Sequence, residues 1–203
     1  MATITSKIRI GLVFSGLLVL LTGCGLHQSS QAPARTWETN QEEQQRQSRF
    51  IKKIGQNAKL VYQKKHQVLP SIVIAQAIIE SDWGRSDLAT KANNLFGVKG
   101  QYQGQQILMN TDEYENNQRT TIKDYFKVYP SLEIAIQDHS NFLSVGTYAT
   151  LTNLTNYAEQ ADLLQKAGYA TDPNYATKIK KAIQDYDFCL LYTSDAADDM
   201  QCV

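Results

Sequence analysis

The chain has 203 residues, of which 42% are hydrophobic, and it carries 20 Lys and Arg side chains against 20 Asp and Glu. This length suits one domain with extensions, and the hydrophobic content is sufficient for a buried core. The formal net charge of zero gives no electrostatic reason to expect nucleic acid as a partner.

The first 24 residues are predicted to be an export signal that is not part of the fold. Two basic residues precede an apolar run from 10 to 21, which is too short for a membrane span and is typical of a secretory signal peptide. The sequence Leu-Thr-Gly-Cys at 21–24 resembles the bacterial lipobox; the alternative is an ordinary signal peptide with a chance cysteine. The resemblance implies that Cys24 is lipidated and anchors the protein at the extracellular face of the cytoplasmic membrane.

Two segments flank the domain that we expect at residues 50–188. Residues 25–49 are rich in Gln, Ser, Ala and Glu, which predicts a flexible tether with a reach of roughly 80 to 90 Å. Residues 189–203 resemble the in-frame translation of a sequencing-library adapter, so we expect a scar rather than a natural disordered tail. Residues 25–188 contain no cysteine, so the stability of this domain must come from its core.

Two helices are predicted to open the domain. The first is amphipathic, because apolar residues recur at helical spacing at Phe50, Ile54, Ala58 and Val61. The second is predicted from Pro70 to Asp82, with Gly84 as its terminator. This helix has no polar face between residues 72 and 79, and it should therefore be central and buried.

A β-hairpin and further helices are predicted to follow. Residues 106–114 and 119–129 are typical of two strands joined by a turn. Helical periodicity returns from Leu132 to Leu143; Asn156 is a candidate cap for a helix through Lys166, and Asp172-Pro173 for a last helix to about residue 186. The predicted fold class is α+β, a mainly helical body with one small β-hairpin lobe.

Glu80 lies at the end of the predicted buried helix. Desolvation and the negative end of the helix dipole both favour the protonated form of a carboxyl group in this position. A carboxylic acid that keeps its proton near neutral pH is suited to protonate the departing oxygen of a glycosidic bond. The alternative is a structural ion pair with Arg85 or a nearby lysine.

Several segments resemble the glucosaminidase domain of glycoside hydrolase family 73, which includes bacterial autolysins and the muramidase-like domain of flagellar rod-cap proteins. They are AIIESDWGRS at 77–86, NNLFGVKG at 93–100, NTDEYE at 110–115, YFKVY at 125–129 and AGYATDPNYA at 167–176. The resemblance implies a lysozyme-like fold and an endo-β-N-acetylglucosaminidase that cleaves β-1,4 bonds of peptidoglycan. Alternatives are a muramidase or lytic transglycosylase of the same fold, or a peptidoglycan-binding lipoprotein without catalysis.

The resemblance also implies roles for the acidic residues and tyrosines. Glu80 becomes the general acid and Glu113 the second carboxylate, which would activate water or support the acetamido group of the substrate. Asp112 and Glu115 are its nearest substitutes, and a solvated strand residue is the structural alternative. The hydroxyl groups of Tyr169 and Tyr175 would hydrogen-bond either the acetamide or the catalytic acid; core packing is the alternative.

Further candidates concern sugar binding. Trp83 and Phe96 are predicted to stack on sugar or to pack in the core, and Asn93 and Asn94 to bind sugar or to form the turn into the lobe. His139 lies on an apolar helix face and is predicted to be a hydrogen-bonded core histidine. We expect no metal and no cofactor, and we expect the protein to be a monomer.

Overall fold

A computed structural model of the chain describes residues 34–115, 118–186 and 188, and within 34–38 and 112–119 it describes the backbone alone. The predicted signal peptide with Cys24 and the tail 189–203 lie outside the described residues. No helix in the described part of the chain is long and apolar enough to cross a membrane.

The first helix, α1, spans Ala34–Lys65, so residues 34–49 are helical and the prediction of a flexible tether is wrong for them. Gln, Glu and Arg are good helix formers, and oppositely charged side chains three residues apart stabilise a helix further. Arg46 lies 2.6 Å from Glu43 and donates a hydrogen bond to the Trp83 carbonyl oxygen at 3.2 Å. Composition alone did not reveal this tertiary contact.

The second helix, α2, spans Pro70–Ser81 and is buried along most of its length, as predicted. It ends because Asp82 adopts a left-handed conformation with φ of 49°, and Trp83 and Gly84 continue in that region at 60° and 73°. At Gly84 an added Cβ would approach the Phe50 ring to 2.7 Å. A glycine is therefore required there both for its positive φ and for the close approach of α1.

A short helix leads into the hairpin lobe. Helix α3, Asp87–Ala92, was not predicted; it is capped by the Ser86 side chain, and its 6 residues are too few for periodicity to reveal. Strands β1, Gln106–Glu115, and β2, Gln118–Lys127, pair antiparallel as predicted. A small cluster formed by Leu88, Ala92 and Phe126 joins the lobe to α3.

Three helices and a 3-10 turn complete the body: α4 is Leu132–Phe142, the turn Gly146–Leu151, α5 Tyr157–Lys166 and α6 Tyr175–Asp185. The Asn156 side chain caps α5 as predicted. Helix α6 begins at Tyr175 rather than at Pro173, which corrects the prediction. The reason is a turn in which the Asp172 side chain accepts from the Asn174 N–H at 2.8 Å, so Pro173 precedes the helix.

The core is formed by the helices packed around α2. Residues of α1, α2, α4, α5 and α6 belong to one buried apolar cluster, and the two-stranded sheet stands beside it. This is the predicted α+β architecture, a mainly helical body with a β-hairpin lobe. It places the end of α2 against the start of α6.

Candidate active site

Glu80 occupies the last turn of α2, where the apolar helix reaches the left-handed residues that follow it. The Tyr175 hydroxyl donates a hydrogen bond to Glu80 Oε1 at 2.9 Å. Tyr175 opens α6 and is completely buried, whereas the Glu80 side chain keeps partial exposure. The acid is thus held from inside the protein while part of it remains accessible from outside.

Burial raises the pKa of Glu80 to about 7, and the Tyr175 hydrogen bond and the positive charge of Lys178 oppose this increase. The direction agrees with the prediction from the position of Glu80 in the helix. The predicted alternative was an ion pair with Arg85 or a nearby lysine. Arg85 instead lies 2.7 Å from Asp82 Oδ1, and among lysines Lys178 lowers the pKa of Glu80 through its charge. Near neutral pH a large fraction of Glu80 therefore carries its proton and can act as an acid.

The two tyrosines near Glu80 have different partners. Tyr175 accepts a hydrogen bond from Gln76 Nε2 at 3.1 Å and donates to Glu80. The Tyr169 hydroxyl lies 3.2 Å from His139 Nε2, and its ring stacks on Tyr175 with centroids 5.4 Å apart. Tyr175 makes the predicted hydrogen bond with Glu80. Tyr169 is a core residue, which was the alternative prediction, and its ring packs against Tyr175.

His139 and Phe96 belong to the core behind the site. His139 is completely buried, its ring centroid lies 3.8 Å from that of Phe96, and burial lowers its pKa to about 3. The prediction of a hydrogen-bonded core histidine is confirmed. The prediction that Phe96 stacks on sugar is wrong, because this side chain is 0% exposed.

The two asparagines form the entry to the hairpin lobe. Asn93 ends α3 in the left-handed region and donates to the Tyr129 carbonyl oxygen at 2.9 Å. Asn94 is 1% exposed; its Nδ2 donates to the carbonyl oxygens of Val98 and Lys127, and its Oδ1 accepts from the Val98 N–H. These contacts exclude sugar binding by Asn94. Both residues form the turn into the lobe, and sugar binding by the partly exposed Asn93 stays a prediction.

Trp83 remains a candidate wall for a sugar. Its side chain is partly exposed and packs edge to face against Phe50 and Tyr186, with ring centroids 6.0 and 4.9 Å apart. Both partners leave part of the indole open to solvent. It follows Glu80 by three residues, in the left-handed segment immediately after α2.

Glu113 lies in β1 opposite Thr120 of β2. Its side chain, like those of Asp112 and Glu115, is outside the part that the structure describes. The second carboxylate therefore stays a prediction that rests on the sequence resemblance. In the described residues no group of three or more His, Cys, Asp or Glu side chains could hold a metal ion.

Sequence reasoning missed Gln76 and Lys178. Gln76 is completely buried and touches the hydroxyl that binds the acid, and Lys178 on α6 acts on Glu80 through its charge. A signal for Gln76 was present, since it is a polar residue within an apolar run and precedes Glu80 by one helical turn. Lys178 gave no such signal, because lysines on helix surfaces are common.

Comparisons with known proteins identify a family for the chain. Residues 55–188 match the Glucosaminidase family, described as mannosyl-glycoprotein endo-beta-N-acetylglucosaminidase. The chain is 47% identical over 152 residues to the exo-glucosaminidase LytG of Bacillus subtilis, covering 72% of this chain and 54% of the relative. It is 36% identical over 142 residues to the peptidoglycan hydrolase FlgJ of Escherichia coli K12, covering 66% of this chain and 45% of the relative.

A solved structure gives the same result for the fold. The catalytic domain of the autolysin Auto from Listeria monocytogenes superposes with a TM-score of 0.65 at 32% identity, covering 77% of this chain and 97% of that domain. By contrast, the chain spans about half the length of the two curated relatives. The match thus concerns one domain of those longer proteins.

Proposed function

The chain belongs to the glucosaminidase family of glycoside hydrolases, and on that premise we propose that it hydrolyses the glycan strands of peptidoglycan. The proposed bond is the β-1,4 linkage on the reducing side of N-acetylglucosamine, cut within the strand. Support for this substrate comes from the relatives, of which one is named a peptidoglycan hydrolase and another an autolysin.

The observation that carries the proposal is the environment of Glu80. A partly exposed carboxyl group with a pKa of about 7, bonded to a buried tyrosine hydroxyl, is suited to general acid catalysis near neutral pH. Protonated Glu80 would give its proton to the glycosidic oxygen as the bond to the anomeric carbon breaks. The Tyr175 hydrogen bond would then stabilise the carboxylate that remains.

A second carboxylate is expected to assist the nucleophile that attacks the anomeric carbon, and Glu113 is the proposed residue. It would either deprotonate the attacking water or support the acetamido group of the substrate as an internal nucleophile. Its position on a hairpin lobe connected to the body through a small apolar cluster would allow the lobe to approach bound glycan.

Cleavage from the chain end is a second candidate, because the Bacillus subtilis relative is named an exo-glucosaminidase. The two modes differ in their early products. Internal cleavage shortens long strands at once, whereas cleavage from the end releases disaccharides while the remaining strands stay long. Size-exclusion analysis of glycan during the first tenth of a digest would separate the two modes.

We further propose that the protein acts in the cell envelope as a monomer anchored through lipidated Cys24. The lipobox-like sequence at 21–24 supports this anchor, and two acyl chains on one cysteine suffice for stable membrane attachment. The substrate would then lie outside the cytoplasmic membrane, on the same side as the enzyme.

The test is mass spectrometry of borohydride-reduced fragments from purified peptidoglycan digested by the wild type and by Glu80→Gln. Reduced N-acetylglucosamine ends that disappear with Glu80→Gln would support both the linkage and the acid. Reduced muramic ends would indicate a muramidase, and anhydromuramic ends a transglycosylase. Undigested glycan bound equally well by both proteins would favour the binding lipoprotein.

A further inference from the structure

Gln76 is a buried amide one helical turn before Glu80 on α2. The side chain is 0% exposed, and its Nε2 donates to the Tyr175 hydroxyl at 3.1 Å. The same hydroxyl donates to Glu80 Oε1 at 2.9 Å. The three groups form one chain of hydrogen bonds that leaves α2, passes through α6 and returns to the end of α2.

Core packing does not account for an amide at this position. Its helix neighbours Ala75 and Ala77 are completely buried, and Gln76 Oε1 has no hydrogen-bond partner among the described residues. A buried polar atom without a partner destabilises the fold, so an apolar side chain of similar volume would pack here at lower cost. The amide is therefore better explained by what its N–H does to Tyr175.

We propose that Gln76 is a positioning residue: it occupies the acceptor site of the Tyr175 hydroxyl and so directs the hydroxyl proton to Glu80 Oε1. A hydroxyl has a single proton, and an N–H donor at its oxygen limits where that proton can point. Oε1 then serves as an acceptor, and the acid proton resides on Oε2, which has no hydrogen-bond partner among the described residues. This inference rests on the proposed function, because it assigns the orientation of the proposed acid.

Other groups face Glu80 and set its titration independently of Gln76. Lys178 on α6 lowers the pKa of Glu80 through its charge. Tyr169, which precedes α6, is buried and hydrogen-bonded to neutral His139 of α4, so neither brings a charge. A substitution at Gln76 leaves all of these groups in place, and its effect on Glu80 must pass through Tyr175.

The kinetic test uses Gln76→Leu in the full chain. We expect kcat to fall about 3- to 10-fold, because the Tyr175 hydroxyl is no longer directed to Glu80 Oε1. KM should stay within about twofold, because the buried Gln76 cannot touch glycan. The loss should vanish when Gln76→Leu is added to Tyr175→Phe, since residues that act through one another are not additive. Ile74→Val, a buried change on the same helix, is the matched control and should leave kcat unchanged.

A titration without substrate gives a second readout. Carbon-13 NMR of the Glu80 carboxyl group, assigned with Glu80→Gln, should show a higher pKa in Gln76→Leu than in the wild type, because a less polarised Tyr175 hydroxyl stabilises the carboxylate less. Equal titration of Glu80 in both proteins, or a full additional loss of kcat beside Tyr175→Phe, would overturn the inference. If the wild type cleaves no peptidoglycan, the proposed function fails while this titration still decides the role of Gln76.

Discussion

At the residue scale, the buried carboxyl group of Glu80 is expected to lower the stability of the fold when it ionises. Its pKa is about 7 in the fold and near 4.5 when unfolded. A carboxyl group whose folded pKa is raised carries no penalty below pH 4.5, destabilises the fold increasingly as the pH rises from 4.5 to about 7, and destabilises it by a constant amount above that. The free energy of unfolding of the wild type should therefore fall by up to about 3 kcal/mol relative to Glu80→Gln.

Urea denaturation of both proteins at pH 4.5 and pH 8 measures this difference. We expect the inactive Glu80→Gln protein to be the more stable one at pH 8 and the two to converge at pH 4.5. Parallel pH dependences for the two proteins would contradict the raised pKa of Glu80.

The same carboxyl group should give kcat its alkaline limb. Only protonated Glu80 can act as the acid, so kcat should decline as the pH rises through about 7. Tyr175→Phe removes a hydrogen bond that lowers the pKa of Glu80, and the limb should move to higher pH while kcat on the plateau decreases. Tyr157→Phe, at the partly buried first residue of α5, is the control and should leave the limb in place; a limb that moves to lower pH in Tyr175→Phe would refute the assignment.

The sequence predicted the environment of Glu80 better than it predicted the contacts of the residues around it. The place of Glu80 at the end of an apolar helix predicts a raised pKa, and that direction is confirmed, with burial as the cause. The partners of Tyr169 and Tyr175 depend on how α4 and α6 pack against α2, which no local pattern contains. Phe96 was misassigned for the same reason, because its burial depends on tertiary packing that includes the ring of His139 on α4.

At the element scale, Asn94 links the body to the hairpin lobe. Its side chain makes three hydrogen bonds to backbone groups of Val98 and Lys127, each 2.9 to 3.0 Å long. Asn94→Ala would remove all three bonds and leave the buried Val98 N–H without its partner, while the Val98 carbonyl oxygen keeps the bond from the Lys127 N–H, so we expect a loss of about 1 to 3 kcal/mol in the free energy of unfolding. Asn110→Ala, on the exposed part of β1, is the matched control and should change it by less than about 0.5 kcal/mol.

Hydrogen exchange can show where the destabilisation acts. The amides of β1 and β2 should lose protection before those of α2 in Asn94→Ala, because the lobe depends on this contact while α2 lies in the main core. Uniform loss of protection across both would mean that Asn94 stabilises the whole domain and not the attachment of the lobe.

The elements themselves were predictable where their patterns were long. Helix α2 and the two strands follow from an apolar run and from turn residues between β-rich segments. Helix α3 and the 3-10 turn at 146–151 were missed, because each has only 6 residues. The start of α6 was placed too early since Asp172 makes a turn of its own before the helix begins.

At the scale of the whole molecule, α1 changes the distance expected between the proposed anchor and the candidate active site. A flexible segment 25–49 would reach roughly 80 to 90 Å. With 34–49 helical, that part rises only about 24 Å, and the total reach falls to roughly 55 Å. Because Arg46 binds the Trp83 carbonyl oxygen, the N-terminal part of α1 is also held against the domain.

The last prediction concerns the proposed anchor at Cys24. In bacteria that lipidate exported proteins, Cys24→Ser should prevent acylation and reduce the share of the protein in the membrane fraction, because a serine lacks the thiol that would carry the lipid. Hydrolysis of isolated peptidoglycan should remain within about twofold, because the substitution lies outside the 55–188 family match. Mass spectrometry of the wild-type N-terminal peptide should find a diacylated cysteine. An unmodified cysteine there, together with equal membrane retention of both proteins, would show that attachment does not depend on the lipobox-like sequence.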